Sequence, residues 1–251
     1  MKKLALVVLA GAMFLGGCDL GDSDRAAKLT ALAAGEASAI TKPRDRLQQQ
    51  LNIADMQNRH TWFQDSRATL ATARKTIESS DHDQLTDLDR IAGWVSISEL
   101  SRVAGDVAGA AFACDGARKS LLAVESEAKR CEYVRGLSRE FYALGDTRSA
   151  SDLLKQAGGW AKSIQETEYR RKALVAIAND LFGWNDYDAG RDVLRQDDDA
   201  AWRAQTLLAM AAAEGQGRWD KSGAHGSLGA SPSFGKPVDY KANYQRQSTF
   251  R

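Results

Sequence analysis

The sequence predicts an all-α protein assembled from repeated antiparallel helix pairs. Three observations predict it. The first is where proline is missing. Of 251 residues only positions 43, 232 and 237 are proline, so the long stretch between them lacks the strongest breaker of helices. That stretch is rich in Ala, Leu, Arg, Glu and Gln, which lose little on entering a helix. The second is self-similarity at a step of 40 residues, starting at Arg90, Arg130 and Arg170. The third is that each copy places apolar residues at offsets 0, 3, 7 and 10, one face of a 3.6-residue helix. Together they count against a β-sandwich, an up-and-down barrel or a doubly wound α/β domain.

Residues 1–17 read as a signal peptide. Met1-Lys2-Lys3 is a basic start, Leu4 to Leu15 is apolar, and Gly16-Gly17-Cys18 follows. Twelve apolar residues are too few to cross a hydrocarbon core of roughly 30 Å. The tetrapeptide Leu15-Gly16-Gly17-Cys18 resembles the bacterial lipobox. The resemblance implies cleavage before Cys18 and acylation of its thiol. Bacterial lipoproteins carry several acyl chains, and two or more anchor a protein stably where one does not. Asp19 resembles the signal that retains lipoproteins in the inner membrane. The implied location is therefore lipid-anchored and facing the periplasm, with the outer membrane as the alternative.

Residues 18–43 form the expected anchor segment, with a short helix near Asp24 to Ile40 that ends before Pro43. A helical repeat domain is expected over residues 44–220. Its first pair is degenerate: Leu47, Leu51 and Ala54 face inward on one helix, and Trp62 to Ile77 supplies the partner. The three regular pairs follow. Their first helices carry Trp94, Ile97, Ser101 and Ala104; Val134, Leu137, Phe141 and Leu144; and Leu174, Ile177, Leu181 and Trp184. Gly105-Asp106, Gly145-Asp146 and Asn185-Asp186 come next. Gly or Asn closes a helix in the left-handed conformation, and Asp caps the helix that follows. Small residues at Ala110, Ala150 and Gly190 let the paired helices approach. A fourth partial copy runs through Trp202, Leu207 and Met210 after a shorter step, with Gly217-Arg218-Trp219-Asp220 at its turn.

The repeats resemble a tetratricopeptide-type α-solenoid. The likeness rests on the helix-turn-helix period, the small-residue positions and the Gly-Asp turns. The family's signature of Trp, Leu-Gly, Tyr and closing Pro is absent, and the step exceeds the usual ~34 residues. A HEAT-like arrangement or a non-repetitive helical bundle is the alternative. Residues 221–251 read as a disordered, basic, Gly-rich tail. From residue 216 onward Arg218, Lys221, Lys236, Lys241, Arg246 and Arg251 outnumber Asp220 and Asp239, while the body is acidic. The tail's basic and aromatic residues suit contact with anionic lipid, peptidoglycan or an acidic partner surface rather than nucleic acid, and an unstructured end with no role of its own is the alternative.

Signals of catalysis are missing. His60, His82 and His225 stand alone, without a second ligand at metal spacing. His82 sits among Asp81, Asp83, Asp87 and Asp89, but Thr86 and Ala92 break the calcium-loop pattern. That segment, like Asp197-Asp198-Asp199, reads as helix-capping linker. No Gly-rich phosphate loop or nucleophile elbow occurs. No metal, cofactor or enzymatic activity is expected. Cys114 and Cys131 are read either as buried packing or as a disulfide. A single hairpin would offset them by about 10 Å along the helix axis, beyond disulfide reach.

The expected function is that of a periplasmic interaction scaffold in an envelope assembly or secretion system, holding another envelope protein in a groove of first helices. Candidate groove residues are Glu99, Arg102, Arg139, Tyr142, Asn179 and Phe182. The alternatives are a peptidoglycan-binding or cell-wall-processing protein, and a lipoprotein that neutralises a periplasmic toxin.

Overall fold

A computed structural model of the chain describes residues 20–215. Among the described residues there are ten α-helices and one short 3-10 turn, with no strand. The helices are α1 (Leu20–Ser38), α2 (Pro43–Arg59), α3 (Phe63–Glu78), α4 (Asp87–Val103), α5 (Val107–Ala123), α6 (Glu127–Ala143), α7 (Thr147–Trp160), α8 (Thr167–Gly183), α9 (Tyr187–Leu194) and α10 (Ala200–Gly215). Antiparallel pairs α2·α3, α4·α5, α6·α7 and α8·α9 stack along the chain, and the first helices pack on one another from α2 through α4 and α6 to α8. This is an α-solenoid.

The 40-residue step is visible in the element boundaries. First helices begin at Asp87, Glu127 and Thr167, and second helices at Val107, Thr147 and Tyr187. The degenerate pair begins 44 residues before the first regular one, at Pro43 and Phe63. Pro43 occupies the first turn of α2, where its missing N–H is no loss. The helix of the anchor segment is longer than the sequence predicts, because the chain is already helical at Leu20.

Each regular turn is the same device. Gly105, Gly145 and Asn185 have φ of 71°, 86° and 63°. The following amides of Asp106, Asp146 and Asp186 reach back to the carbonyls of Ser101, Phe141 and Leu181. This satisfies carbonyls the helix leaves open. The three Asp side chains then accept from the backbone N–H of Gly109, Ser149 and Ala189, starting the second helix. The degenerate pair keeps the geometry without the chemistry. Thr61 takes the left-handed position at φ 61°, and Trp62 stands at the cap without a side-chain hydrogen bond.

The predicted faces are the core. Ile97, Val134, Leu137, Leu174, Ile177 and Leu181 are fully buried, as are Leu47 and Ala54 of the degenerate pair. Ala110, Ala150 and Gly190 are buried where helices meet. At Gly190 a Cβ would lie 2.3 Å from the Phe182 ring, so only glycine fits.

The two acidic segments are linkers that cap helices. Thr86 and Asp89 form a reciprocal capping box at the start of α4. Asp199 accepts from the Trp202 N–H at the start of α10, and Asp197 accepts two bonds from Arg171. No group of acidic, His and Cys side chains among the described residues is arranged to hold a metal ion. The signal peptide, Cys18, Asp19, the fourth turn at 217–220 and the tail at 221–251 lie outside the described residues.

The turn geometry sets an expected outcome. Gly145 has open space around it, so only its φ resists a side chain. Gly145→Ala lowers the free energy of urea unfolding by about 1 kcal/mol and Asn185→Gly raises it by a few tenths or more. A neutral Gly145→Ala contradicts the left-handed turn.

Candidate functional site

The joints between pairs decide which polar residues are free for a partner. The arginines that open each repeat are not free. Arg90 donates to the carbonyls of Ile77 and Leu85, at 2.8 and 3.2 Å, and to that of Ser80. Arg130 donates to Val124, Arg170 to Ile164 and Arg203 to Asp197, each to a carbonyl of the link just before its helix. Arg130 and Arg171 also cover the rings of Trp160 and Trp202.

A second set of contacts runs between neighbouring first helices. Glu140 and Asp180 occupy the same register one step apart, and both are buried. Glu140 accepts from Arg102 at 3.4 Å and from Ser98 at 3.3 Å. Asp180 accepts from Arg135 at 2.6 and 3.2 Å and from Arg139 at 2.8 Å. The two carboxylates respond in opposite directions. Burial pushes the Glu140 carboxyl above the ordinary value, and its long contacts to Arg102 do not cancel this. Burial also opposes ionisation of Asp180, but the two guanidiniums, Arg135 foremost, outweigh it and hold the carboxyl below the ordinary value.

The predicted groove residues therefore divide. Glu99 is exposed, while Arg102 and Arg139 are half-buried and engaged with Glu140 and Asp180. Asn179 is half-buried, and its Oδ1 finds no partner among the described residues. Tyr142 is exposed and stacks on Trp184, with ring centroids 4.5 Å apart. Phe182 is a correction: it is not a groove residue but part of the core, packed over Gly190 and against Tyr187. Its neighbour in the second helix is a glycine, so the ring turns inward.

The two cysteines are not bonded to each other. Cys114 on α5 meets the Ser98 hydroxyl of α4 at 3.1 Å, and Cys131 on α6 donates to the Ala157 carbonyl of α7. Each faces its own hairpin partner, which removes the disulfide reading. Burial pushes the thiols up to about 11 and about 12, so both are poor nucleophiles.

An open cleft lies at the turn end of the joint between the second and third regular pairs. It encloses about 430 Å³ and is lined by Tyr142, Arg148, Ser151, Lys155, Trp184 and Asp186, among others. The stacked Tyr142–Trp184 pair forms an aromatic wall. Opposite signs of charge meet across it: Lys155 lies 3.9 Å from both Asp152 and Asp186, and Ser151 donates to Asp186. Apart from Tyr142, sequence reasoning did not single out these residues for binding. The 40-residue register contains the signal that could have found them. The position of Trp184 is Ala104 in the first copy and Leu144 in the second, so a large ring enters where the repeat elsewhere keeps a smaller side chain. A smaller cavity of about 200 Å³ lies among α1, α2 and α3 and is lined by Ser38, Gln50, Thr69 and Thr72 with apolar neighbours.

No protein-family model matches the chain, and comparison with characterised proteins and with solved structures returned no match.

The carboxylate pair yields an expected outcome. A carboxyl raised by folding loses stability as pH climbs through its folded value, whereas a depressed one loses it as pH falls through its folded value. At pH 7 Glu140→Gln leaves stability unchanged or raises it, and removes a decline in stability above pH 4.5. Asp180→Asn lowers it by about 1–3 kcal/mol, because two guanidiniums lose their counter-charge. Urea titrations from pH 4 to 8 read both, and equal losses from the two variants contradict the assignment.

Proposed function

We propose that this chain is a lipid-anchored lipoprotein of the bacterial envelope, held to the membrane through Cys18, whose helical stack serves as a docking scaffold for another envelope protein. Residues 1–18 support the anchor by their basic start, apolar run and lipobox-like tetrapeptide. The observation that carries the scaffold reading is the Tyr142–Trp184 cleft. It offers an aromatic wall beside paired acidic and basic groups at the end of two helix pairs. Aromatic anchors with adaptable polar neighbours are the usual core of a protein-binding patch. A stack of pairs presents such a patch on a long, rigid surface. The first-helix groove is a poorer receptor than its sequence suggests, since Arg102 and Arg139 are occupied in joining the pairs.

The cleft suits an extended segment with an apolar or aromatic residue to lie against Tyr142 and charges to meet Lys155 and Asp152. The same reading assigns the protein no catalytic step. A photo-crosslinking residue replacing Arg148, which is almost fully exposed, tests this in cells. Discrete protein adducts form, and Tyr142→Ser added to the same chain cuts their yield about tenfold. Loss of adducts to protein with retention on purified cell wall favours the wall-binding reading. Adducts indifferent to Tyr142 overturn the cleft.

A further inference from the structure

Helix α1 carries an outer face that no other element among the described residues covers. Its inner face packs on α2 through Thr30 and Ala37, both nearly fully buried, and the Thr30 hydroxyl reaches the Met56 sulfur on α2 at 3.7 Å. Arg25, Lys28, Leu29 and Leu32 lie on the opposite side and are exposed. Their spacing of i, i+3, i+4 and i+7 makes one continuous stripe. Leu29 and Leu32 are 57% and 67% exposed, so two large apolar side chains one turn apart stand in water on the same face. Glu36 closes the stripe at the end farthest from the N-terminus.

We infer that this stripe is a membrane-contacting face that docks on anionic lipid headgroups and sets the orientation of the solenoid on the bilayer. The inference rests on the lipoprotein reading of Cys18. Two further observations choose the occupant. The helix begins at Leu20, two residues after Cys18, so an acylated Cys18 leaves α1 no slack to leave the surface. At 1.5 Å per residue the stripe then lies within about 20 Å of the anchor along the helix. The two cations sit in the half nearest the anchor, where lipid phosphates complement them beside one exposed carboxylate, Asp24, and the two leucines sit between them and the helix end. A basic and apolar stripe opposite a packed face is the pattern of a helix lying in the interfacial plane.

A lipid anchor alone leaves a protein free to swivel. A stripe on the first helix removes that freedom and fixes which side of the stack faces away from the bilayer.

The test uses the full-length acylated protein in vesicles of phosphatidylcholine with or without phosphatidylglycerol. Ala33→Cys flanks the stripe and leaves it intact. Ala71→Cys on α3 is an exposed control. The buried Cys114 and Cys131, with thiols pushed up to about 11 and about 12, leave the introduced thiol as the site that an environment-sensitive fluorophore labels. In phosphatidylglycerol vesicles, quenching by a spin-labelled lipid is at least threefold stronger at position 33 than at position 71. High salt weakens the difference, and the combined variant Arg25→Ser, Lys28→Ser, Leu29→Ser, Leu32→Ser abolishes it while helix content is unchanged. Equal quenching at the two positions overturns the stripe, as does a difference that survives the combined variant. Mass measurement of the N-terminal peptide separates the premises. An acylated Cys18 with equal quenching overturns the stripe alone, and an unacylated Cys18 overturns the anchor and the stripe together.

Discussion

Every α-helix ends with carbonyls that have no partner inside the helix. In a stack of helix pairs those ends meet the next pair, where they are partly withdrawn from water. An arginine at a fixed position of each first helix donates to carbonyls at those ends or in the link just beyond them. Arg90, Arg130, Arg170 and Arg203 each reach back to a carbonyl of the preceding link. The guanidinium has enough donors to serve several carbonyls at once, as Arg90 does. A contact that joins the end of one pair to the start of the next fixes the angle between them, and so the course of the whole solenoid. Arg46 holds the same position in α2, and its Nε has no partner among the described residues. Among the described residues only the single helix α1 comes before α2, so no helix pair offers Arg46 the link carbonyls that its counterparts reach.

The second consequence is that function must use what the joints leave over. Arg102 and Arg139 looked available because sequence shows position on a face but not partners. Glu140 and Asp180 consume them. The joint between the second and third regular pairs is held by two guanidiniums on one buried carboxylate, and the joint before it by one guanidinium and one hydroxyl on Glu140 at longer distances. The candidate cleft opens beside the joint with the shorter ion pairs, so its aromatic wall stands on helices that Asp180 ties together. A binding patch on a rigid support loses less freedom when it is occupied.

The fold was legible because its determinants are local and repeated. The Gly-Asp and Asn-Asp turns, the small residues four positions later and the 0, 3, 7, 10 faces each need only neighbouring residues to be read. Buried Ile97, Leu137 and Ile177 follow from that pattern alone. Asp197 and Asp199 were legible as caps, but the grip of Arg171 on both was not, since it joins residues more than twenty positions apart. Phe182 was misplaced for a similar reason. It sits one position past the buried Leu181, and only the glycine across the hairpin at position 190 admits the ring to the core. The cleft was missed because a pocket is a relation between two turns, and Trp184 is unusual only when its size is compared with Ala104 and Leu144. The activity was not legible at all: apart from the lipobox-like tetrapeptide, which concerns anchoring, the sequence carries no motif with a chemical mechanism, and the comparisons add none.

The course of the stack depends on the arginine that joins each pair to the one before. Hydrogen exchange read by mass spectrometry on Arg130→Gln tests it most directly, because exchange reports opening segment by segment. In that variant the end of α5 and the start of α6 open at a free energy at least about 1 kcal/mol lower than in the parent chain. The interior of α2 through α4 keeps its protection, and total helix content is unchanged. Protection left unaltered around Val124, or lost evenly from every helix, would contradict it.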